Sequence, residues 1–399
     1  MLLRSPGFLR VYCSQLLSLL GDQLYLIALP WVVLELTGSA LALGTVFALG
    51  AFPRALLFPV GGALADRVEA SRLMVASGLA RGLVIAGLAA LLGAGQTWAP
   101  YLVAVLLGAA ASFYYPAESS LLPRLLPRDL LQSANGLVQG ANQLAGVLGP
   151  ALGGAVVGAL GGEAALAIAA GTYTLAAVVM LGVRVRRGRG AEGLRAAFPG
   201  DLREGLGVAW GDPVIRWLIV TAAFGNLGFA GPLFVGIPAL VRGPLGLGPV
   251  AFGMLDAAFA AGAVGGAMSL ALIGRRIGER RGGLAVAALL VQSLAFGALG
   301  MRAGFGSSFG LMLLSGACSG LANALLITLL QLRAPEEFLG RVMGLVYLGS
   351  FGLILVSQLL AGIVAEAFGV RAVFPLGASV MFLALVAGGR WLVRSEAAA

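Results

Sequence analysis

Twelve long apolar stretches, joined by short loops, fill almost the whole chain. A helix needs about 20 mostly apolar residues to cross the hydrocarbon core of a bilayer. Hydrophobic residues make up 59% of the chain and charged residues 11%, which is more apolar surface than one soluble core can bury. The sequence therefore predicts an all-α membrane protein with twelve transmembrane helices, at 11–37, 41–65, 73–94, 99–122, 133–159, 163–183, 213–240, 250–273, 283–301, 305–331, 341–365 and 371–393.

The basic residues follow the predicted membrane topology. All 26 are arginines, and the chain has no histidine. If the N-terminus is cytoplasmic, most of them fall in or beside cytoplasmic loops, among them Arg128, Arg276 and Arg281. This asymmetry obeys the positive-inside rule, so we expect both termini in the cytoplasm, in a bacterial inner membrane. The net charge of +9 thus reflects topology, since the arginines do not form one aromatic-lined face for nucleic acid.

The chain is built from two similar halves. PRDLLQSANGL, which begins at Pro127, is matched in the second half by PEEFLGRVMGL, which begins at Pro335. Because each half has six spans, the halves share one orientation, and we expect the ligand site between them near mid-membrane. The predicted domains are an N-terminal six-helix bundle at 1–183, a cytoplasmic linker at 184–212 and a C-terminal six-helix bundle at 213–399.

The second span ends in GGALADRVEASRLM, which resembles the signature loop of the major facilitator superfamily. Gly62, Asp66, Arg67 and Arg72 stand where that family has its glycine, acid, arginine and trailing base, while Glu69 replaces a second glycine. The resemblance implies that the loop pairs with charges on a neighbouring span and latches the cytoplasmic side shut. The alternative is that these charges only fix the topology.

The fifth span contains GVLGPALGG, which is similar to the antiporter motif of drug exporters in that superfamily. The matching residues are Gly149, Pro150, Gly153 and Gly154. Small residues also let transmembrane helices approach closely, so ordinary tight packing is an equal alternative. The motif favours export over uptake.

Longer segments resemble one branch of the superfamily, which contains the enterobactin exporters and macrolide-efflux-type proteins. They are GDQLYLIALPWVVLELTGSALALG, FPRALLFPVGGALADR and FYYPAESSLLPRLLPRDLLQSANGL. The likeness covers nearly the whole first half and is more diffuse in the second. The sequence departs from the branch at Glu118, where its members often carry a basic or neutral residue.

Ionisable side chains inside a span are costly and therefore mark function. Asp22, Arg54, Arg81, Glu118 and Asp256 fall within predicted spans. A carboxylate in a low-dielectric cavity favours its neutral form, while a nearby arginine favours the charged form, and a proton exchanger needs that competition. We predict Asp22 as the coupling carboxylate. The alternatives are a structural pair of Asp22 with Arg54 or Arg81, a place for Glu118 at the edge of the cytoplasmic gate, and one for Asp256 in an outer vestibule.

Neutral polar residues in the spans are further candidates for the cavity lining. Asn142, Asn226 and Asn323 either line the cavity or satisfy helix–helix hydrogen bonds. No ATP-binding loop, metal-ligand spacing or nucleophile with a histidine base occurs, so we predict neither an enzyme nor a cofactor.

The sequence as a whole predicts a monomeric secondary active transporter that works by alternating access. Its predicted activity is proton-coupled export of an amphipathic small molecule such as a drug, a siderophore or a metabolite. One alternative is a transporter of lysophospholipid-type lipids. Another is a non-transporting receptor or scaffold, which has no use for the cost of Asp22, Arg54 and Arg81 inside the membrane.

Overall fold

The computed structural model describes residues 5–183, 206–207, 209–277, 280–301, 304–335 and 338–394. Within these ranges the side chains of residues 66, 128, 271, 273–277, 340, 341, 347, 351 and 394 are outside the description. The described chain is helical, without a strand in any of these ranges.

Twelve helices in the described ranges are long and apolar enough to cross a membrane, which confirms the predicted number of spans. The first six are α1 (Pro6–Thr37), α2 (Ala40–Arg67), α3 (Ala70–Gly93), α4 (Ala99–Leu125), α5 (Arg128–Leu160) and α6 (Gly162–Met180). The second six are α7 (Pro213–Arg242), α8 (Pro249–Ile277), α9 (Arg281–Ala298), α10 (Phe305–Arg333), α11 (Leu339–Phe368) and α12 (Val373–Arg394).

Local sequence signals fix several helix ends. Gly38 ends α1 in the left-handed region at a φ of 64°, and its N–H donates to the Leu34 carbonyl. Asp212 caps α7 by accepting hydrogen bonds from the backbone N–H groups of Val214, at 2.7 Å, and Ile215, at 3.3 Å. The same carboxylate accepts from Nε of Arg333 at 2.9 Å, which ties the end of α10 to the start of α7.

The first compact unit comprises residues 1–38, 45–194 and 248–253. In it α1 packs against α5 and α6, while α3 packs against α4 and α6. Glycine allows helices α2 and α4 to approach closely: a Cβ atom on Gly108 would collide with the backbone of Gly50. Close backbone approach through small residues is the usual basis of helix association in a bilayer.

The second compact unit comprises residues 39–44, 195–247 and 254–399. In it α7 packs against α11 and α12, and α9 packs against α10 and α12. Phenylalanine rings fill its interior, with centroid distances of 4.9 to 6.0 Å, from Phe229, Phe259, Phe296 and Phe374. The predicted domain boundaries at 183 and 213 stay a prediction, and linker residues 184–205 and 208 lie outside the described ranges.

Helix α7 is interrupted by a π-helical turn at Pro232–Gly236. Ser357 of α11 packs against the residues that precede this turn. Its hydroxyl accepts a hydrogen bond from the Gly231 N–H at 2.6 Å and donates one to the Leu227 carbonyl at 2.6 Å. The serine thereby satisfies a backbone donor beside an irregular turn, as irregular backbone at membrane depth requires.

Candidate functional site

An ion pair between α1 and α3 lies in the interior of the first compact unit. The Arg81 guanidinium pairs through Nη2 with Oδ1 of Asp22. The Arg81 side chain is 2% exposed and that of Asp22 is 20% exposed. Nη1 of Arg81 also donates to the Ser18 hydroxyl at 3.0 Å. Of the two arginines that the sequence offered as partners of Asp22, the structure therefore selects Arg81.

Three tyrosines enclose this ion pair. The Tyr173 hydroxyl donates to Oδ1 of Asp22 at 2.7 Å, and the Tyr115 hydroxyl donates to Oδ2 at 3.3 Å. Cζ of Arg81 lies 4.0 Å from the ring centroid of Tyr173 and 4.9 Å from that of Tyr114. The carboxylate thus receives hydrogen bonds, and the guanidinium lies over aromatic faces that attract cations.

Glycines bring the three helices of this cluster close together. A Cβ atom on Gly21 would lie 3.0 Å from the Tyr173 ring, so α1 and α6 can meet only with a small residue there. On α3, Gly78 and Gly82 face α6, and a Cβ on Gly78 would lie 3.1 Å from the Ala177 side chain. These small residues allow side chains from α1, α3 and α6 to converge at Asp22.

A cavity of about 380 Å³ opens beside the ion pair, within the first compact unit. Helix α1 contributes Gln15, Ser18 and Asp22 to its wall, at the spacing of one helix face. Helix α4 contributes Tyr114, Tyr115 and Glu118 in the same way. The volume lies in the range of small-molecule binding sites.

Amide side chains of α5 form a further wall of the cavity. Asn135, Gln139 and Asn142 recur at intervals of four and three residues, which places them on one helix face. Nδ2 of Asn142 donates to Oε1 of Gln139 at 3.1 Å. Asn142 was a predicted lining residue, and the structure brings it into the same cavity as Asp22 and Glu118.

Two buried polar atoms of the cavity wall have no hydrogen-bond partner in the part of the chain that the structure describes. They are Oε1 of Gln15 and the hydroxyl of Tyr114, and each of these residues is only 3% exposed. Both side chains nevertheless interact with a polar neighbour, Gln15 with Glu118 and Tyr114 with Ser18. Both atoms lack accessible surface, so neither faces the open space of the cavity.

Other residues predicted for the cavity lie elsewhere. The Arg54 side chain is exposed, with its Cζ 5.4 Å from the Tyr115 ring centroid. Asp256, Asn226 and Asn323 belong to the second compact unit and do not line the Asp22 cavity. Nδ2 of Asn226 donates to the Ala222 carbonyl of its own helix at 2.9 Å, which is a local hydrogen bond rather than one between helices.

In the loop after α2, an ion pair joins two residues that are close in the chain. Nε of Arg72 pairs with Oε2 of Glu69 at 2.9 Å, three residues earlier. The Arg67 side chain is exposed, and the Asp66 side chain lies outside the described residues. A contact between helices comes instead from Arg124, whose role the sequence did not predict.

Arg124 joins the end of α4 to the last turn of α2. Its Nη1 donates to the Ala65 carbonyl at 2.8 Å. A cation at a helix C-terminus satisfies a free carbonyl and interacts favourably with the helix dipole. By contrast, Gly62 has open space where its Cβ would be, so close packing does not require a glycine there.

The antiporter-like motif packs α5 against α1. A Cβ atom on Gly149 would collide with the Gln23 side chain of α1, and one on Gly153 would lie in tight contact, at 3.1 Å, with Ile27 of the same helix. Nε2 of Gln23 also donates to the Ala145 carbonyl at 2.7 Å. On another face of α5, a Cβ on Gly154 would lie 2.6 Å from the Pro249 carbonyl oxygen, in the short 248–253 segment of the same unit. Pro150 lies within the helix between these glycines.

Sequence reasoning missed the three tyrosines, Gln15 and Ser18. The adjacent Tyr114 and Tyr115 precede Glu118 by one helical turn, a spacing that could have marked them. Tyr173 and Ser18 carry no comparable signal, because aromatic and hydroxyl residues are common in transmembrane helices.

The sequence model of the Major Facilitator Superfamily matches this chain over residues 11–357 and 233–399. The chain belongs to the Major Facilitator Superfamily. It is therefore a multi-pass membrane transporter, and the prediction of a transporter rather than an enzyme is confirmed by the relatives.

Relatives from several bacteria match most of the chain. An MFS-type transporter of Sinorhizobium fredii, y4rN, is 28% identical over 96% of this chain and 94% of its own. The multidrug efflux pump Tap of Mycolicibacterium fortuitum is 25% identical over 92% of this chain and 91% of its own. Macrolide efflux protein A of Streptococcus pyogenes is 23% identical over 85% of this chain and 84% of its own. The predicted resemblance to efflux-type members is confirmed.

Solved structures share the fold. A bacterial homologue of the iron transporter ferroportin, in an inward-facing state, matches with a TM-score of 0.75 over 99% of this chain and 100% of its own. Its sequence is 18% identical, so the match concerns the fold alone. It confirms the predicted major facilitator fold, with twelve transmembrane helices in two six-helix bundles.

Proposed function

We propose that this transporter exports an amphipathic small molecule in exchange for protons, by alternating access. The observation that carries the proposal is the buried Asp22–Arg81 pair at the wall of a cavity of about 380 Å³. The multidrug and macrolide efflux proteins among its relatives support export. Proton coupling rests on the ion pair.

The chemistry of coupling follows from the contacts of Asp22. The ionised carboxylate attracts Arg81 and accepts hydrogen bonds from Tyr173 and Tyr115. Protonation removes this charge and leaves the guanidinium held by Ser18 and the aromatic rings. If the pair is intact in one conformation and broken in the other, Asp22 has a different proton affinity in each, which is the condition for coupling.

The test is transport by the purified protein in lipid vesicles that carry a pH gradient. Asp22→Asn should abolish accumulation of an exported compound against its gradient, because the side chain can no longer take up a proton. Glu35→Gln is the matched control, since Glu35 is an exposed carboxylate of the same helix, and it should leave accumulation unchanged. Uphill transport by Asp22→Asn at the wild-type rate would refute the role of Asp22.

The remaining parts of the proposal concern the setting of the transporter. We propose a monomer in a bacterial inner membrane with both termini in the cytoplasm, as the arginine distribution indicates. We also propose that the loop of Asp66 and Arg67 contributes to closing the cytoplasmic side. Accessibility labelling of cysteines introduced near each end of the chain, in intact cells and in opened vesicles, tests the orientation.

A further inference from the structure

We propose that the start of α9 and the end of α12 form a binding surface for an anionic phospholipid, with Arg280, Arg281 and Arg390 around its phosphate. This inference goes beyond the proposed transport activity, because it concerns a surface of the second compact unit and not the Asp22 cavity of the first. It assigns a ligand to three arginines that the transport mechanism does not use.

Helices α9 and α12 pack against each other in opposite directions. A Cβ atom on Gly297 of α9 would lie 3.0 Å from the Ala378 side chain of α12. A Cβ atom on Gly389 of α12 would lie 3.4 Å from the Val286 side chain of α9. The contact that comes later in α12 comes earlier in α9, so the start of α9 lies beside the end of α12.

This arrangement brings the arginines of the two helix ends to similar levels. The contact between Val286 and Gly389 sets the reference level. Arg281 begins α9 five residues before it, and Arg390 follows it directly in α12. At the helical rise of about 1.5 Å per residue, the two arginines differ in height by about 6 Å. One lipid headgroup can therefore contact both helix ends.

The positive charge of these helix ends is not compensated by a carboxylate in the described ranges. None of the three arginines takes part in an ion pair there. Arg280 and Arg390 are exposed, and Arg281 is half-buried. Cζ of Arg390 lies 5.4 Å from the ring centroid of Trp391, and tryptophan is enriched at the level of lipid headgroups. A phosphate would supply the missing negative charge, and the arginine guanidinium is well suited to bind it.

Exposed apolar side chains on both helices favour a lipid over a soluble anion. On α12, Leu383 and Val386 are exposed on the same helix face as Arg390. On α9, Val291 and Leu294 are exposed. Exposed apolar side chains of a membrane-spanning helix contact acyl chains, and basic surfaces between such helices bind anionic headgroups. A molecule with apolar tails and an anionic head matches both features, whereas a soluble phosphate matches only the charges.

The experiment measures lipid binding to the purified full-length protein by native mass spectrometry. The protein, in a mild detergent, is titrated with phosphatidylglycerol, which is anionic, or with phosphatidylethanolamine, which has no net charge. The wild type should bind its first phosphatidylglycerol at least about tenfold more tightly than its first phosphatidylethanolamine. Arg390→Gln should reduce this preference about fivefold, the effect of one arginine near an anionic headgroup. Arg280→Gln, Arg281→Gln and Arg390→Gln together should remove the preference.

Two further variants separate a bound lipid from a general effect of charge or folding. Arg390→Lys keeps the charge and should retain more phosphatidylglycerol affinity than Arg390→Gln. Arg10→Gln removes an exposed arginine of α1, and this matched control should bind both lipids like the wild type. The inference is overturned if the wild type shows no preference or if the triple variant keeps it. It is also overturned if Arg10→Gln weakens binding as much as Arg390→Gln, or if Arg390→Lys is no better than Arg390→Gln.

Glycerol 3-phosphate distinguishes a lipid site from a phosphate site, because it carries a phosphate without acyl chains. A tenfold molar excess of it should leave phosphatidylglycerol bound. Displacement would indicate a site for soluble phosphates and would overturn the assignment to a lipid. No transport is measured in this experiment, so its outcome does not depend on the proposed exchange of a substrate for protons.

Discussion

In each compact unit the first, third and sixth helices meet, but the side chains at the meeting point are charged and polar in the first unit and aromatic and apolar in the second. In the first unit, the first, third and sixth helices meet at Asp22, Arg81 and Tyr173. In the second unit, the first, third and sixth helices, α7, α9 and α12, meet at aromatic rings with centroids 4.9 and 6.0 Å apart, from Phe229, Phe296 and Phe374.

The two groups of side chains differ in whether their charge can change. An ion pair with a partly exposed carboxylate changes its electrostatic energy when a proton arrives. A cluster of phenylalanine rings has no group to protonate, and it contributes through contact and ring geometry alone. Under the proposed function, the Asp22–Arg81 pair of the first unit is the element that responds to pH, while the phenylalanine cluster of the second unit contributes packing alone.

The largest effect is expected when the ion pair is broken from the arginine side. Arg81→Met leaves the partly buried Asp22 carboxylate without its cation and should lower the free energy of unfolding by about 3 to 4 kcal/mol, near the lower end of the loss for buried pairs that lose one partner. Uphill transport should also be lost. Unfolding in detergent, followed by circular dichroism during titration with a denaturing surfactant, measures the first effect.

A double variant sharpens this prediction by making the first unit resemble the second. Asp22→Asn together with Arg81→Met removes both charges, so most of the lost stability should return while uphill transport stays absent. If the double variant is as unstable as Arg81→Met alone, the uncompensated carboxylate is not the cause of the loss.

A somewhat smaller effect is expected from the apolar cluster. Phe296 is fully buried against Phe229 and Phe374, so Phe296→Ala should leave a cavity and lower the free energy of unfolding by about 3 kcal/mol. The pH dependence of the remaining transport should match that of the wild type. A pH profile that moves in this variant would contradict the proposed division of roles between the ion pair and the packed phenylalanine cluster.

The smallest effects distinguish the two tyrosines that donate to Asp22. Tyr173→Phe removes a hydrogen bond of 2.7 Å to a carboxylate and should lower the free energy of unfolding by about 2 kcal/mol. Tyr115→Phe removes a longer one of 3.3 Å and should lower it by less than about 1 kcal/mol. The surfactant titration compares both with the wild type. Equal losses, or a larger loss for Tyr115→Phe, would show that the shorter hydrogen bond is not the stronger one.

The spans were predictable because they depend on composition alone. A run of about 20 apolar residues has to be helical inside a bilayer, where no water satisfies the backbone. The predicted first span, 11–37, and the observed helix, Pro6–Thr37, differ at the start, because the structure extends the helix past Arg10, at which the predicted apolar run was ended.

The partner of Asp22, by contrast, could not be predicted from composition and position along the span. Both Arg54 and Arg81 lie inside spans of the first half, and depth along a helix does not say which way a side chain faces. The rotation of α3 is set by contacts with α6 at Gly78 and Gly82, which arise only in the folded unit. Tyr173 was missed for a related reason, since it is 151 residues from Asp22 in the chain.

The π-helical turn at Pro232–Gly236 determines how α7 responds to the deletion of a residue. An α-helix advances about 100° per residue, and a π turn holds one residue more than the regular helix needs. The six residues Ile237–Arg242 thus face as they would after a regular helix one residue shorter, because the turn absorbs the extra residue. Deleting one residue from the turn would regularise the backbone and leave this segment on the same face, whereas the same deletion in a regular part of α7 would rotate the residues after it by about 100°. A length change that elsewhere exchanges the inner and outer faces of a helix end would here be absorbed.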